Sequence, residues 1–369
     1  MVIDEIKEEK EERISNDDLF NITSWGADPS VRELIEQYKD GDIVKPELQR
    51  KYVWKKRDAS RFVESLLLGL PVPSVFLANM EPSGKRLIID GYQRIRTLYD
   101  YIHEGIWSGD DTAFRLVDSD IINERWRGKS YKELTDDDKR RLRNYTIHAI
   151  IFEQKQPRND SGLYQVFERI NTSGTTLNAQ EIRNCVYQGT LNSLLFKLND
   201  NTFWRRMFGN DKEDSRMIDL ELILRFFAMN TPNVYESNNY YISLTQLMNR
   251  YMSDHQNDSE PFINSLSNDF EQVIKYIYNH FGEDAFFNLQ KDLTKLRRRL
   301  YPTVYDSLMI STYIAIQRGA APDEMLESRR LSLLRDEEYR ESITQGTMQV
   351  VNIKRRISKA LKLIYDLDL

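Results

Sequence analysis

The sequence predicts an α+β protein: a small α/β unit with a short mixed sheet, followed by a large all-helical region. Three observations carry this expectation. Short apolar runs bounded by Gly, Pro and Asp alternate with helical-period stretches as far as Phe152. Beyond about residue 160 nearly every segment has helical spacing. The chain has 369 residues, 40% of them hydrophobic, with 20 Tyr and 16 Phe, enough for real cores in two or three domains. The expected division is an acidic N-terminal arm over 1–29, an α/β domain over 30–153 and a helical domain over 154–369.

The elements follow in order. Residues 1–18 are dominated by Glu, Lys and Asp and read as an arm of little core value. Ser30 is placed to N-cap a helix over 30–39, with Val31, Leu34, Ile35 and Tyr38 on one face and Gly41-Asp42 as its stop. Ile43 to Leu48 reads as an edge strand interrupted by Pro46. A helix over 57–69 has Asp58 as its expected N-cap, an apolar face from Ala59 to Leu70, and Gly69, Pro71 and Pro73 at its exit. Ser74 to Ala78 and Arg86 to Ile89 are strands joined through Pro82-Ser83-Gly84. After Gly91, the residues Ile95, Leu98, Tyr99 and Ile102 mark another amphipathic helix. Thr135 opens a helix with three Asp in its first turn and Arg later, the order that suits the helix dipole. Thr146 to Phe152 is a strand, and later helices are expected at 162–169, 179–188, 191–199, 216–229, 244–252, 261–281, 284–299, 303–317 and 345–365.

Composition excludes several classes. A formal charge of −6 does not draw the chain onto nucleic acid, so any such contact needs a local basic patch. The single Cys185 rules out an intrachain disulfide framework, and four scattered histidines show no metal or triad spacing. No apolar run reaches membrane-spanning length and no signal-peptide pattern opens the chain. The expectation is a soluble protein of a reducing compartment, most simply the bacterial cytoplasm.

Three motifs could carry chemistry. The first is Asp90-Gly91-Tyr92-Gln93-Arg94, a strand feeding a helix through glycine. Such a junction exposes backbone N–H groups and the positive end of the helix dipole to an anion. Gln93 and Arg94 stand in the same first turn, and Thr97 lies with them off the apolar stripe. Asp90 could simply N-cap the helix, or hold a divalent cation or water beside a phosphate, with Glu64 or Glu181 as a second carboxylate. Tyr92 could stack on a base or join the core. The second motif is Pro46-Glu47-Leu48-Gln49-Arg50-Lys51-Tyr52-Val53-Trp54, whose Gln49 and Arg50 offer donors to phosphate. The third runs from Val166 to Glu181: Asn178 and Glu181 form a capping box, while Arg169, Asn171, Thr172 and Ser173 cluster donors on a polar turn. The basic runs Lys295–Arg299 and Lys354–Lys362 read as solvated helix faces, and Cys185 as a buried thiol.

In their order these motifs resemble the GmrSD-type restriction N-terminal domain family, which is similar in fold to the ParB/sulfiredoxin group. The resemblance rests on Gln-Arg-x-Tyr-Val-Trp, Ser-Leu-Leu-Leu-Gly-Leu-Pro-Val-Pro, Ile-Asp-Gly-x-Gln-Arg and Phe-Glu-Arg-Ile-Asn-Thr-x-Gly-Thr-x-Leu-Asn-x-Gln-Glu-Ile-Arg, and covers about residues 30–230. It implies a ParB-like module that binds and often hydrolyses a nucleoside triphosphate, GTP or another, with Mg²⁺, in bacterial defence against modified phage DNA. It implies Asp90, Gln93 and Arg94 as catalytic residues, Asp90 also as metal ligand, and Gln49, Arg50, Gly91, Thr97, Arg169 and Asn171 as nucleotide contacts. The partners it implies are the nucleotide, DNA, a separate nuclease subunit and a further copy of the chain, with no membrane. This chain departs from the family at Tyr92, where Gln is usual, and at Arg96, where a small polar residue is usual. No His-Asn-His nuclease pattern follows residue 230, so DNA cleavage by that chemistry is not expected of this chain alone. The alternative is a non-catalytic DNA-recognition or partner-binding subunit with a degenerate nucleotide site.

Overall fold

The computed structural model describes residues 22–45, 52–80, 83–154, 161–170, 178–214, 216–231, 234, 237, 239–320 and 325–369. They fall into two compact units: one reaches Ile170 and includes Asn184–Val186, the other comprises Asn178–Arg183 and Tyr187–Leu369. The architecture is the expected α+β one, a mixed sheet followed by a largely helical region.

The first unit is built on a five-stranded sheet in the order β1-β7-β3-β4-β2. Its strands are β1 (Ile22–Ala27), β2 (Ile43–Val44), β3 (Val75–Met80), β4 (Lys85–Asp90) and β7 (Ala149–Gln154). β1 runs antiparallel to β7 and β3 antiparallel to β4, whereas β7–β3 and β4–β2 are parallel. The β3–β4 pairing slips once: Phe76 faces Asp90 but Leu77 faces Ile88. Ile89 is therefore the extra residue of a bulge, a device that re-aims the neighbouring side chain, here Asp90 at the strand's end. A small hairpin of β5 (Ile106–Trp107) and β6 (Thr112–Ala113) lies apart from the main sheet.

Helices α1 (Val31–Asp40), α2 (Lys56–Leu68), α3 (Tyr92–Tyr99) and α4 (Asp136–Asn144) cover this sheet. The ends of α1 follow from its sequence. Ser30 and Glu33 close a capping box, and Gly41 ends the helix at φ +78°; a cap of this kind is worth about 1 kcal/mol. The buried faces of α2 and α3 bring Val63, Leu66, Ile95 and Leu98 into one core with Leu77 and Ile88. One boundary differs from expectation: Lys55, not Asp58, occupies the N-cap of α2, and Asp58 sits inside the first turn, where its charge still complements the dipole. α3 runs on into a π-helical turn, Asp100–Glu104, closed by Gly105. α5 (Ser161–Ile170) follows β7 in the same unit.

The second unit is formed by α6 (Ala179–Val186), in which the boundary falls, α7 (Thr190–Asn199), α8 (Thr202–Phe208), α9 (Ile218–Met229), α10 (Leu244–Asp254), α11 (Glu260–Phe281), α12 (Pro302–Gln317), α13 (Leu326–Leu333), α14 (Glu337–Thr344) and α15 (Val350–Tyr365). It is not all helical. Residues 284–299, expected as a helix, instead carry β8 (Phe287–Leu289) and β9 (Leu296–Leu300), paired as a hairpin. Leu293 turns that hairpin at φ +58°, a conformation a helix cannot accommodate. The basic run Lys295–Arg299 thus lies mostly on a strand. α12 is buried along most of its length and forms the centre of the unit.

Candidate functional site

The site builds outward from Gly91. It adopts φ +104° and is the N-cap of α3, and no side chain caps that helix. Asp90, expected as the N-cap, stands one residue earlier at the end of β4, where the bulge turns it toward Arg94. A Cβ on Gly91 would lie 2.6 Å from Val75 Cγ1 and 3.3 Å from Arg94 Nη2, so glycine is required both for the dihedral and for the space. The three uncapped amides of the first turn and the helix dipole make this end of α3 electropositive.

Arg94 spans the bend. Its Nη2 donates to Asp90 Oδ2 at 2.7 Å and to the Ser74 carbonyl at 2.9 Å, joining the starts of α3 and β3. The guanidinium is largely covered, 13% exposed, while the Asp90 carboxylate is 44% exposed. Arg94 Nε is buried and has no hydrogen-bond partner among the described residues. An unpaired buried donor costs about 1–3 kcal/mol, more when charged, so this nitrogen is an unmet demand for an acceptor.

Gln93 and Thr97 look inward. Gln93 Oε1 accepts from the backbone N–H of Val53, at 3.1 Å, and of Trp54, at 3.3 Å, tying the segment after Tyr52 to α3. Thr97 is fully buried; its hydroxyl donates to the Gln93 carbonyl at 2.7 Å and lies 2.7 Å from Tyr52 Oη. With its one proton spent on Gln93, Thr97 accepts from Tyr52. Tyr92 also belongs to the core, 8% exposed, with Lys45 Nζ 5.7 Å from its ring centroid. Burial pushes its hydroxyl well above the ordinary phenol range.

Residues 31–188 fit the model of the GmrSD restriction endonuclease, N-terminal domain. This stretch, less than half of the 369 residues, is similar to the GmrSD-type N-terminal domain. The match suggests a module of a bacterial restriction system. No curated protein matches the chain.

The GmrSD-type domain holds Asp90, Gly91, Gln93, Arg94 and Thr97 together at the β4–α3 junction. Arg169 lies exposed near the C-terminal end of α5 in the same unit. Gln49, Arg50 and Asn171 lie outside the described residues. Of the second carboxylates considered for a cation, Glu64 Oε1 accepts from Asn123 N–H at 2.6 Å, and Glu181 closes the capping box of α6 and pairs with Arg216 at 3.2 Å. Among the described residues no three of His, Cys, Asp and Glu gather in a metal-binding group. Nor is any helix there long and apolar enough to cross a membrane. Sequence reasoning did not anticipate Ser74, Val75 or Tyr52 at the bend. Only Tyr52 left a signal, its place in the Gln-Arg-x-Tyr-Val-Trp motif; the Ser74 contact is through backbone and has no side-chain signature.

Proposed function

We propose that the chain is the nucleotide-binding, and hydrolysing, module of a bacterial restriction system, with the triphosphate at the start of α3. The observation that carries this reading is Arg94 Nε, a buried guanidinium nitrogen without an acceptor among the described residues, beside a helix N-terminus that none of their side chains caps. A phosphate oxygen supplies the acceptor and meets the amide hydrogens at the same time.

Asp90 and Arg94 hold each other through one hydrogen bond. Asp90 keeps a second carboxylate oxygen and nearly half its surface open. That suits a Mg²⁺ that arrives with phosphates, since Mg²⁺ commonly takes one or two protein carboxylates plus phosphate and water. The ion would neutralise developing charge on the phosphoryl group, as in phosphoryl transfer generally. The protein's part is positioning: Asp90 holds the ion or orients the attacking water, Arg94 holds phosphate, and Gln93 fixes the segment that borders the turn.

The test is hydrolysis of the four triphosphates with Mg²⁺ by the wild type, Asp90→Ala and Arg94→Ala. Turnover that falls by roughly 100-fold or more in both variants supports the reading, the range expected when a charge-stabilising group is removed. Equal rates in all three proteins would refute it.

A second reading, a DNA-recognition or partner-binding subunit without turnover, is favoured by the internal partners of Arg94 and by Tyr92 in the core. Gel-shift binding to modified and unmodified duplexes across a salt series distinguishes it, because phosphate contacts alone give steep salt dependence without preference for the modified strand.

A further inference from the structure

Beyond the bend, the geometry points to a second binding site, for a small planar aromatic anion, on the opposite face of α3. A surface cleft of about 290 Å³ opens between the end of α1, β2 and α3. Its walls include Tyr38, Lys39, Lys45, Arg96 and Tyr99, and none of its lining residues is a carboxylate. Residues 92, 96 and 99 share one stripe of the helix, since spacings of four and three bring side chains into line. Arg94, two residues from Arg96, projects from the far side. The cleft is therefore separate from the Asp90–Arg94 pair and does not depend on the function proposed for that pair.

Two features define the ligand. The first is charge. Lys39 and Lys45 are exposed, and neither is in an ion pair among the described residues. Lys45 leans over the Tyr92 ring. Arg96 is fixed between Ser108, Oγ at 2.8 Å, and the buried Asp100, at 2.8 Å, so it enters the cleft wall already oriented. Asp100 offsets Arg96, which leaves at the rim two ammonium groups that form no ion pair among the described residues. The second is aromatic surface. Tyr38 meets Tyr99 edge-to-face at 5.2 Å, and His103 stacks on Tyr99 at 5.0 Å, giving a rigid wall. The volume lies at the small end of ligand pockets, enough for one ring system with an anionic group.

The closing experiment uses the full chain and isothermal titration with three probes: adenosine 5′-monophosphate (ring and phosphate), ribose 5-phosphate (no ring) and adenosine (no charge). The monophosphate is expected to bind at least about ten-fold more tightly than either fragment. Lys39→Ala/Lys45→Ala, exposed positions whose change leaves the core intact, should weaken it by about ten-fold or more, and Tyr38→Ala should remove the advantage over ribose 5-phosphate. Asp90→Ala should leave this affinity within about two-fold, roughly a third of the 1.4 kcal/mol that makes a tenfold change. Equal binding of the monophosphate and ribose 5-phosphate, or loss of binding in Asp90→Ala with none in the double lysine variant, would overturn the proposal. The latter outcome would assign the ligand to the bend instead.

Discussion

Arg225 grips Asp306 with two charge-assisted hydrogen bonds, Nε to Oδ1 at 2.5 Å and Nη2 to Oδ2 at 2.6 Å. A second guanidinium, Arg356, donates to the same carboxylate from α15 at 3.2 Å. All three side chains are buried. Burial pulls the Arg356 guanidinium below its ordinary value, and Asp306 works against that shift. One carboxylate thus compensates two cations at the centre of the helical unit.

Asp306→Ala should therefore be severe. It removes the carboxylate that two buried guanidiniums share, and breaking a buried pair on one side costs about 3–5 kcal/mol. A urea titration followed by circular dichroism should show a lower midpoint in the transition of the helical unit. A midpoint shift corresponding to less than about 1 kcal/mol would mean that water reaches the site and that the triad is not a structural anchor.

Gly91→Ala tests the bend. The new methyl meets Val75 Cγ1 at 2.6 Å while the backbone is held at φ +104°. The dihedral alone costs about 1–2 kcal/mol for a residue with a Cβ, and the clash adds to it. Val75→Ala in the same chain should recover only part of the steric cost, since Val75 Cβ at 3.0 Å and Arg94 Nη2 at 3.3 Å remain. The double variant is then expected to be less destabilised than the sum of the singles, a coupling of about 0.5–3 kcal/mol by thermal or chemical melts. Strict additivity would show that the two residues do not touch.

Much of the first unit was legible because its signals are local. Ser30 and Gly41 spell both ends of α1 within twelve residues, and Gly69 marks the end of α2. β1 was not legible. Ile-Thr-Ser-Trp-Gly-Ala has mostly exposed side chains at a sheet edge, so it lacks the alternation that marks a half-buried strand; its place comes from pairing with β7. Residues 284–299 have good helix formers, and local propensity there gave way to a positive-φ turn and hairpin pairing. Asp306 and Arg356, on helices α12 and α15, are separated by fifty residues, and Arg225 lies further off still. No local pattern announces such a contact. At the site, glycine between strand and helix was readable, whereas the inward commitments of Gln93 and Thr97 depend on a partner segment reached only in the fold.

Glu133 gives a pH-dependent expectation. It accepts from the backbone and side chain of Ser130 in a capping box and from Arg115, which hold its carboxyl at about 2 against an ordinary 4.5. A folded-state value below the unfolded one means stability that is fully present above about 4.5 and is lost as pH falls toward about 2. Glu133→Gln keeps a capping-box residue but loses the charge. Its melting temperature should lie below that of the wild type at neutral pH, and the gap should close as pH drops through that window. A gap that stays constant with pH would show that the carboxylate charge contributes nothing there.

Gln93 offers the clearest separation between chemistry and positioning. Its Oε1 is the acceptor for two amides, Val53 and Trp54, so its role depends on an oxygen and not on the amide nitrogen. Gln93→Ala removes both bonds and should raise hydrogen exchange at those two amides by roughly ten-fold, in keeping with about 1 kcal/mol per lost bond. Gln93→Glu supplies an oxygen at the same place, and bonds to a charged acceptor are the stronger kind. It should restore protection to at least the wild-type level. If the segment's position is what the bend requires, triphosphate turnover should follow protection across the three proteins, falling in Gln93→Ala and returning in Gln93→Glu. Turnover lost in both variants while protection returns in one would assign Gln93 a direct contact with the reacting groups through its amide nitrogen.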